Sequence, residues 1–477
     1  MNRRVHPVRL HGAAASPLAD APDAIVVGSG PGGAGAARAL ARAGARVLVL
    51  EQGGAEALSG TLGQMASMAA VPGKGAFLHR DLSLLVRALT LGGTSTINFA
   101  TAAPPPAAMF AAHGIDLAPA LGELRAELPM APLPDALVGP MARRIMAAAR
   151  ASGLDWHKLD KLIRPASCRS GCWRCVYGCP FGAKWSARDF IDDACSHGAR
   201  VRSRARVTRV LVEDGRAAGV EAEIDGRLQQ LRAPLVVLAA GGIGSPRLLH
   251  ASGLLDQSPA FFSDPVVAVM GSVDDLETDP TRDERGGAEV PMAAGAALHE
   301  DGISLADLTL PQPMYAAFAA QAGRVDRLLA HARTLTVMVK IRDRIGGRIG
   351  PHWVDKTLHP EDRARFARGI GLARDILARA GAHHVFASHH FAAHPGGSVR
   401  IGERVDSDLQ TATPGLYVCD AAVIPAPWGL PPTLTLLCLG TRLGAHLARG
   451  EFPDRAHTGL GAGGAQSACR SNTNVVR

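Results

Sequence analysis

Residues 23–54, DAIVVGSGPGGAGAARALARAGARVLVLEQGG, constrain the fold more than any other stretch of the chain. A short apolar run, Ala24 to Val27, enters a glycine cluster. An Ala-rich helical stretch from Gly32 to Ala43 then leads to a second apolar run, Arg46 to Leu50, which ends at Glu51. The order is strand, tight turn, helix, strand. In such a unit Gly28 allows the turn, Gly30 lets the backbone approach a pyrophosphate, and Gly33 lets the helix pack closely on the strands, so that N–H groups at the helix start face phosphate oxygens. Glu51 is placed to accept both hydroxyls of an adenosine ribose, and its charge would repel the ribose phosphate of NADP. In a chain with 54 glycines a glycine triplet alone fits an ordinary loop. The flanking strands, the helix and the terminal acid together point to a dinucleotide site.

With 477 residues, 47% of them hydrophobic and 20% charged, the chain is long and apolar enough for two domains with a substantial core. The net charge of +8 comes from an arginine-dominated set scattered along the sequence. Without a basic run or interleaved aromatics, a nucleic-acid partner is not expected, and a generally anionic substrate or partner stays open. Arg3 and Arg4 precede VHPVRLHGAAASPLADA, where His, Arg, Pro and Asp interrupt any apolar segment, so an export signal is not expected. No stretch is long and apolar enough to span a bilayer, and a cytoplasmic location is the expectation. Residues 1–20 and 451–477 lack a periodic apolar face and are expected to be disordered.

Between these ends, Asp81 to Leu89 reads as a short helix before LGGTSTINF (91–99), and Pro104 to Pro106 mark a boundary. Residues 111–184 are expected to form a helical and loop-rich connection. Strand alternation over 199–240 closes with LVVLAAGGIGSPRLLHASG. From Phe261 to about Gly350 the alternation, broken by Pro and Gly, predicts an antiparallel sheet with long loops. Pro360 to Ala380 predicts an amphipathic helix through Phe366, Ile370, Ala373 and Leu377, stopped by Gly381, and a last apolar helix spans Thr433 to Leu447.

Four of the eight cysteines, Cys168, Cys172, Cys175 and Cys179, form a C-x3-C-x2-C-x3-C-P run. Similarly short spacings ending in Cys-Pro serve iron–sulfur sites, because a tight loop brings several thiolates around one cluster. A zinc site and a metal-free loop are the alternatives; disulfides fit poorly with a cytoplasmic chain. Cys195, Cys419, Cys438 and Cys469 are dispersed and read as buried or tail thiols. His383, His384, His389 and His390 crowd one region without matching acidic or cysteine ligand spacing, so a metal site is not expected there.

Taken in order, GSGPGGAGAARALARAGARVLVLEQG, LGGTSTINF, GCPFGAKWS, VVLAAGGIGSPRLLHASG, HPGGSVRIG and GLYVCDAAVIPAPWGLPPTLTLLCLGTRL resemble the motifs of the glucose–methanol–choline (GMC) oxidoreductase family, across most of the chain. The resemblance implies an α/β fold: a Rossmann-like FAD-binding domain assembled from residues 21–110, 185–260 and 385–450, with an inserted α+β antiparallel-sheet substrate domain at 261–384. It implies FAD as the nucleotide, with Gly92, Gly93, Thr94 and Asn98 beside the flavin. Val207 would lie on the adenine side, Asp420 near the ribitol and pyrophosphate, and Thr433 and Leu434 at the pyrimidine end. Some members attach FAD through a histidine just before the position of Asn98. Ile97 stands there and cannot form the bond, so noncovalent FAD is expected.

His394, in HPGGSVRIG, matches the family's catalytic histidine. Oxidising an alcohol requires loss of the hydroxyl proton while hydride leaves the carbon for the flavin, and imidazole titrates close enough to neutral pH to accept that proton. His390 shares strand parity with His394 if the stretch is extended, which makes it the expected second pocket residue. Family members usually place Asn or His before the Pro-Thr pair that leads into the last helix. Here Pro431 stands there and offers no side-chain hydrogen bond, so a second contact to the alcohol oxygen would come from elsewhere, with His390 or Trp428 as candidates. The expectation is an FAD-dependent alcohol dehydrogenase acting on a CH–OH donor and passing electrons to a redox protein or quinone. An oxygen-using oxidase, a flavin-bearing lyase or isomerase (motivated by Pro431) and an electron-transfer subunit are the alternatives. The Ala/Gly/Pro-rich inserted domain, with few polar anchors, leans towards an apolar alcohol.

Overall fold

The computed structural model describes residues 21–451 apart from 283 and 299. The terminal segments 1–20 and 452–477, including Cys469, lie outside the described residues, as do the expectations made for them. At the centre is a five-stranded parallel sheet ordered Leu416–Val418, Leu235–Leu238, Ala24–Val27, Val47–Leu50, Arg200–Arg202. Strands Ala24–Val27, Val47–Leu50 and Leu235–Leu238 are buried at every position, as continuous apolar runs in a covered parallel sheet require.

Pro31 opens the first helix, Pro31–Arg42, where its missing N–H costs no hydrogen bond. That helix lies against the last one, Thr433–Glu451, along a seam of small residues. A Cβ on Gly440 would fall 2.3 Å from the Gly32 carbonyl oxygen, so the backbones meet only because side chains are absent there. A three-stranded antiparallel sheet, Ala205–Glu213, Arg216–Ile224 and Arg227–Arg232, flanks this layer.

The second large sheet has nine strands built around the antiparallel core Val266–Ser272, Thr334–Ile341, Ile303–Asp307 and Ala294–Leu298. Helix Pro360–Arg379 covers one face: Phe366, Ala373, Ile376 and Leu377 pack with Val267, Val269, Val337 and Val339. On the opposite face Val266, Ala268, Met270 and Met338 pack with Leu308, Leu310 and Tyr315. Strands His383–Ala387 and Phe391–Ala392 join this sheet, as do Ala76–Leu78 and Leu84–Val86.

The helix expected over Asp81 to Leu89 is a hairpin strand instead. Asp81 accepts the Ser83 N–H at 3.1 Å and the Ser83 hydroxyl at 2.6 Å, a local turn that competes with helix formation. Leu82 completes the reversal at φ 64°. Leu84–Val86 then pairs with Ala76–Leu78 on one side and with Phe391–Ala392 on the other. Tertiary pairing and turn chemistry override the helical spacing.

Candidate active site

A cavity of about 770 Å³ runs along the ends of the parallel strands. Its floor begins at the first turn. Gly28 has φ 105°, and a Cβ there would fall 2.3 Å from the Ala239 carbonyl oxygen, so the turn demands glycine. Gly30 borders the cavity and a Cβ would point into open space, whereas a Cβ on Gly33 would fall 2.1 Å from the Gly28 carbonyl oxygen. Gly33 therefore serves packing and does not border the cavity, and the first-turn N–H groups of Pro31–Arg42 have no partner within the helix.

Glu51 borders the cavity at the end of its strand. It accepts the Ser29 N–H at 3.1 Å, the Ser29 hydroxyl at 2.6 Å and the Gly53 N–H at 2.7 Å. Ser29 Oγ in turn accepts the Gly92 N–H at 2.9 Å. The acid thus clamps the first turn to the turn beginning at Gly92, and a carboxylate's further lone pairs remain for a ribose. Gly92 (φ 82°) caps the 3-10 turn Gly93–Ile97 without bordering the cavity; Gly93, Thr94 and Asn98 do border it. Asn98 Nδ2 donates to Thr433 Oγ1 at 3.2 Å, which joins this turn to the last helix. Thr433 borders the cavity. Leu434 points into the core, and Leu436 takes the lining position expected of it.

Val207 borders the far end beside Thr208 and His250. Asp420 borders the middle and accepts the Gly241 N–H at 2.9 Å, the Ser245 hydroxyl at 2.5 Å and the Ala422 N–H at 2.8 Å. It therefore holds the start of helix Gly241–Ala251, and burial pushes its carboxyl pKa up. Two arginines that sequence reasoning missed also border the cavity. Arg87 donates to the Lys74 and Ala240 carbonyls and Arg247 to the Gly350 carbonyl, and burial lowers both pKa values to about 10. Arg87 reaches this place because it follows a strand; in the expected helix it had no such meaning.

His394 borders the cavity with part of its ring exposed, while Nδ1 is buried and 3.6 Å from Asp264 Oδ2. Burial holds its pKa below 6.5, with Asp264 opposing that shift. His390 does not join it. The strand Phe391–Ala392 ends before His394, which breaks the parity argument, and His390 Nε2 instead lies 3.3 Å from Asp81 Oδ2 on the hairpin. Trp428 is buried edge-on against Phe110 and is absent from the cavity lining.

The cysteine run fails as a metal site. Cys175 is buried and Cys168, Cys172 and Cys179 are half-buried, and among the described residues no group of three or more His, Cys, Asp or Glu side chains is placed to hold a metal ion. Burial pushes the Cys168 thiol up to about 12 and the Cys175 thiol to about 11. The iron–sulfur expectation thus has no ligand set in this structure. The segment is anchored instead by Lys184, whose Nζ donates to the carbonyls of Cys175, Ser95, Thr96 and Asn98.

Models of the GMC oxidoreductase family match residues 33–268 and 348–440. The chain belongs to the GMC oxidoreductase family. It is similar to an uncharacterized GMC-type oxidoreductase of Mycobacterium tuberculosis, 29% identical over 482 residues, which cover 89% of this chain and 75% of that protein. A long-chain-alcohol oxidase of Arabidopsis thaliana is 24% identical over 521 residues, 88% of this chain and 66% of that protein. Among solved structures, pyridoxine 4-oxidase from Mesorbium loti superposes with a TM-score of 0.70 at 17% identity, over 90% of this chain and 100% of that one. Formate oxidase does so at 0.70 and 17%, over 91% and 99%. These likenesses show the fold, a flavin-binding α/β domain joined to a β-sheet substrate domain. FAD is the nucleotide that the family supports, and the residues present fit it: a glycine cradle, an acid at the end of the second parallel strand, two half-buried guanidiniums and a histidine border one cavity. Among the described residues no helix is long and apolar enough to cross a membrane.

Proposed function

We propose that this GMC oxidoreductase binds FAD noncovalently and oxidises the CH–OH group of an apolar alcohol, with His394 taking the hydroxyl proton. The observation that carries the reading is the position of His394, whose exposed edge borders the same cavity as Gly30, Gly93 and Asn98 while its Nδ1 is turned to a carboxylate. Bound FAD supplies the acceptor for the hydride, that is, for both electrons of the C–H bond. A histidine whose pKa burial holds below 6.5 is neutral at pH 7 and ready to take the proton. Proton to imidazole and hydride to cofactor together leave a carbonyl product.

Noncovalent attachment is supported by Ile97, which is buried with Met68, Ala69 and Ala88 in an apolar cluster. An apolar substrate draws support from Phe99, which follows the cavity-lining Asn98 and packs in an apolar cluster with Phe318, Met338 and Phe391, the Phe318 and Phe391 rings lying 5.1 Å apart. Dioxygen as electron acceptor is supported by the oxidase names of the relatives above. A second reading, an acceptor other than oxygen, draws on the cysteine segment, which Lys184 joins to the Ser95–Asn98 turn.

Anaerobic mixing of the flavin-loaded protein with primary alcohols of increasing chain length tests the reading. Bleaching of the flavin by the longer alcohols, slowed roughly 1000-fold in His394→Ala, is the expected result. Oxygen uptake during turnover separates the two acceptors. A flavin that no alcohol bleaches would overturn the proposal.

A further inference from the structure

Behind His394 lies a set of buried charges that the proton transfer above does not use. Asp264 stands at the turn into strand Val266–Ser272, with a side chain fully shielded from solvent. Its Oδ2 and the His394 Nδ1 are 3.6 Å apart, and among the described residues neither atom has a hydrogen-bond partner. That separation is long for a formed bond, but hydrogen bonds of this kind tighten when the ring is charged and the site is filled. The other oxygen, Oδ1, accepts the Gly429 N–H at 2.8 Å.

The backbone here is held in an uncommon state. Asp264 has φ 50°, the left-handed region that non-glycine residues seldom adopt and that tends to be retained where a side chain must be aimed. Asp343 enforces it: its carboxylate accepts the N–H of Ser263 at 3.0 Å, the N–H of Asp264 at 2.9 Å and the Ser263 hydroxyl at 3.1 Å. Lys356 pairs with that carboxylate at 2.7 Å. A second cation, Lys340 on strand Thr334–Ile341, is 4% exposed, and its Nζ has no hydrogen-bond partner among the described residues. The Asp264 charge is the one that favours its ammonium form. A carboxylate this deep is costly unless paired, and the pairing available to Asp264 consists of the ring in front of it and Lys340 beside it.

We propose that Asp264 is a positioning residue for His394, accepting the Nδ1–H so that the lone pair sits on Nε2 at the cavity, with Lys340 as the counter-ion that keeps Asp264 ionised. A neutral imidazole carries one donor and one acceptor nitrogen, and an anion at Nδ1 selects which is which. When Nε2 takes the alcohol proton, the new imidazolium lies against a fixed negative charge. The inference rests on the alcohol-oxidation reading. The charged groups facing the ring are Asp264 and Lys340; Asp343 faces Asp264 and is neutralised by Lys356.

The test uses flavin-loaded wild type, Asp264→Asn, Lys340→Met, His394→Ala and the Asp264→Asn/His394→Ala double variant, each reduced anaerobically by an alcohol that bleaches the wild type. Asp264→Asn is expected to bind FAD and to be reduced roughly 100-fold more slowly, with KM unchanged within a factor of about three. Removing the anion lowers the basicity of His394, so the acid limb of the pH–rate profile moves to lower pH. Lys340→Met moves it the same way, because Asp264 without the cation on the neighbouring strand takes up a proton and no longer supports the imidazolium. In the His394→Ala background Asp264→Asn adds no further slowing. An Asp264→Asn rate within about twofold of wild type with an unshifted limb overturns the inference. So does equal slowing in both backgrounds, the signature of a purely structural role. If Asp264→Asn does not load with flavin, Lys340→Met decides, and a limb that stays or rises overturns the proposal. Where the wild type is bleached and His394→Ala is slow, a fast Asp264→Asn sinks this inference alone; a wild type that no alcohol bleaches sinks the parent reading, and this one with it.

Discussion

Replacing Lys184 by methionine cuts the tie between the cysteine segment and the flavin-side turn, and the structure sets the size of the effect. The ammonium is 6% exposed and reaches four carbonyls, those of Thr96 at 2.7 Å, Asn98 and Cys175 at 3.0 Å and Ser95 at 3.1 Å. Methionine keeps the length and the apolar stem and removes every donor. The Cys175 carbonyl keeps the Gly178 N–H at 3.3 Å, and each of the three carbonyls left stranded costs about 1–3 kcal/mol, a gross loss of roughly 3–9 kcal/mol. Against this stands the cost of burying the cation. Burial lowers the Lys184 pKa from 10.5 to about 8, and relief of that cost at pH 7 returns about 3 kcal/mol. The net, of order 3 kcal/mol, is a large fraction of a typical 5–15 kcal/mol stability without exceeding it. Three of the four carbonyls belong to the turn that borders the cavity, so flavin retention suffers first. The flavin-to-protein ratio after gel filtration and the free energy of unfolding in urea measure both consequences. A variant that keeps stoichiometric flavin and loses less than about 0.5 kcal/mol would refute the reasoning, because three buried carbonyls would then have been left unpaired at no cost.

Gly28→Ala places a Cβ against the Ala239 carbonyl at a backbone angle that alanine seldom adopts, and the purified protein is expected to be colourless by flavin absorbance. The pH profile of alcohol-driven flavin reduction has its sign fixed by His394: the base acts when neutral, burial lowers its pKa, and the rate therefore stays high down to an acid limb centred below 6.5, read by stopped-flow at several pH values. Acid precipitation is expected to leave all the flavin in the supernatant, because Ile97 offers no atom for a covalent bond; flavin in the pellet would contradict this. Pro431→Asn is expected to leave the rate of flavin reduction within about twofold of wild type, since Pro432 and Thr433 border the cavity and Pro431 does not.

What could be read from the sequence was what local chemistry decides. The turn at Gly28, the cradle at Gly30 and the close packing at Gly33 follow from backbone requirements that only glycine meets, and each has the expected environment. Helix Pro360–Arg379 follows from its own periodicity. The losses occurred where distant strands decide. Asp81 to Leu89 has helical spacing, yet pairing with Ala76–Leu78 and Phe391–Ala392 turns it into a hairpin strand, and that reversal carries Arg87 to the cavity and Asp81 to His390. Ser29 carried no signal beyond its place in a glycine loop; its role comes from Glu51 and Gly92, 22 and 63 residues away. The cysteine spacing suited a cluster, but convergence depends on the path of the loop, and Lys184 holds that loop by its Cys175 carbonyl.

Pro431 shows why a missing motif residue is a weak guide to missing chemistry. The motif comparison placed a second polar side chain at that position, and its absence cast doubt on alcohol oxidation. In the structure the position lies off the cavity, while the following turn contributes in another way: the Gly429 N–H fixes Asp264, and Asp264 faces the buried nitrogen of His394. Two supports for a base are chemically distinct. A group across the substrate shares the alcohol oxygen and must be polar on the cavity side, whereas a group behind the imidazole raises its basicity and leaves the cavity side free. The second arrangement suits an apolar substrate, because the polar atoms that tune the base stay buried among Asp343, Lys356 and Lys340, away from the cavity side of the ring.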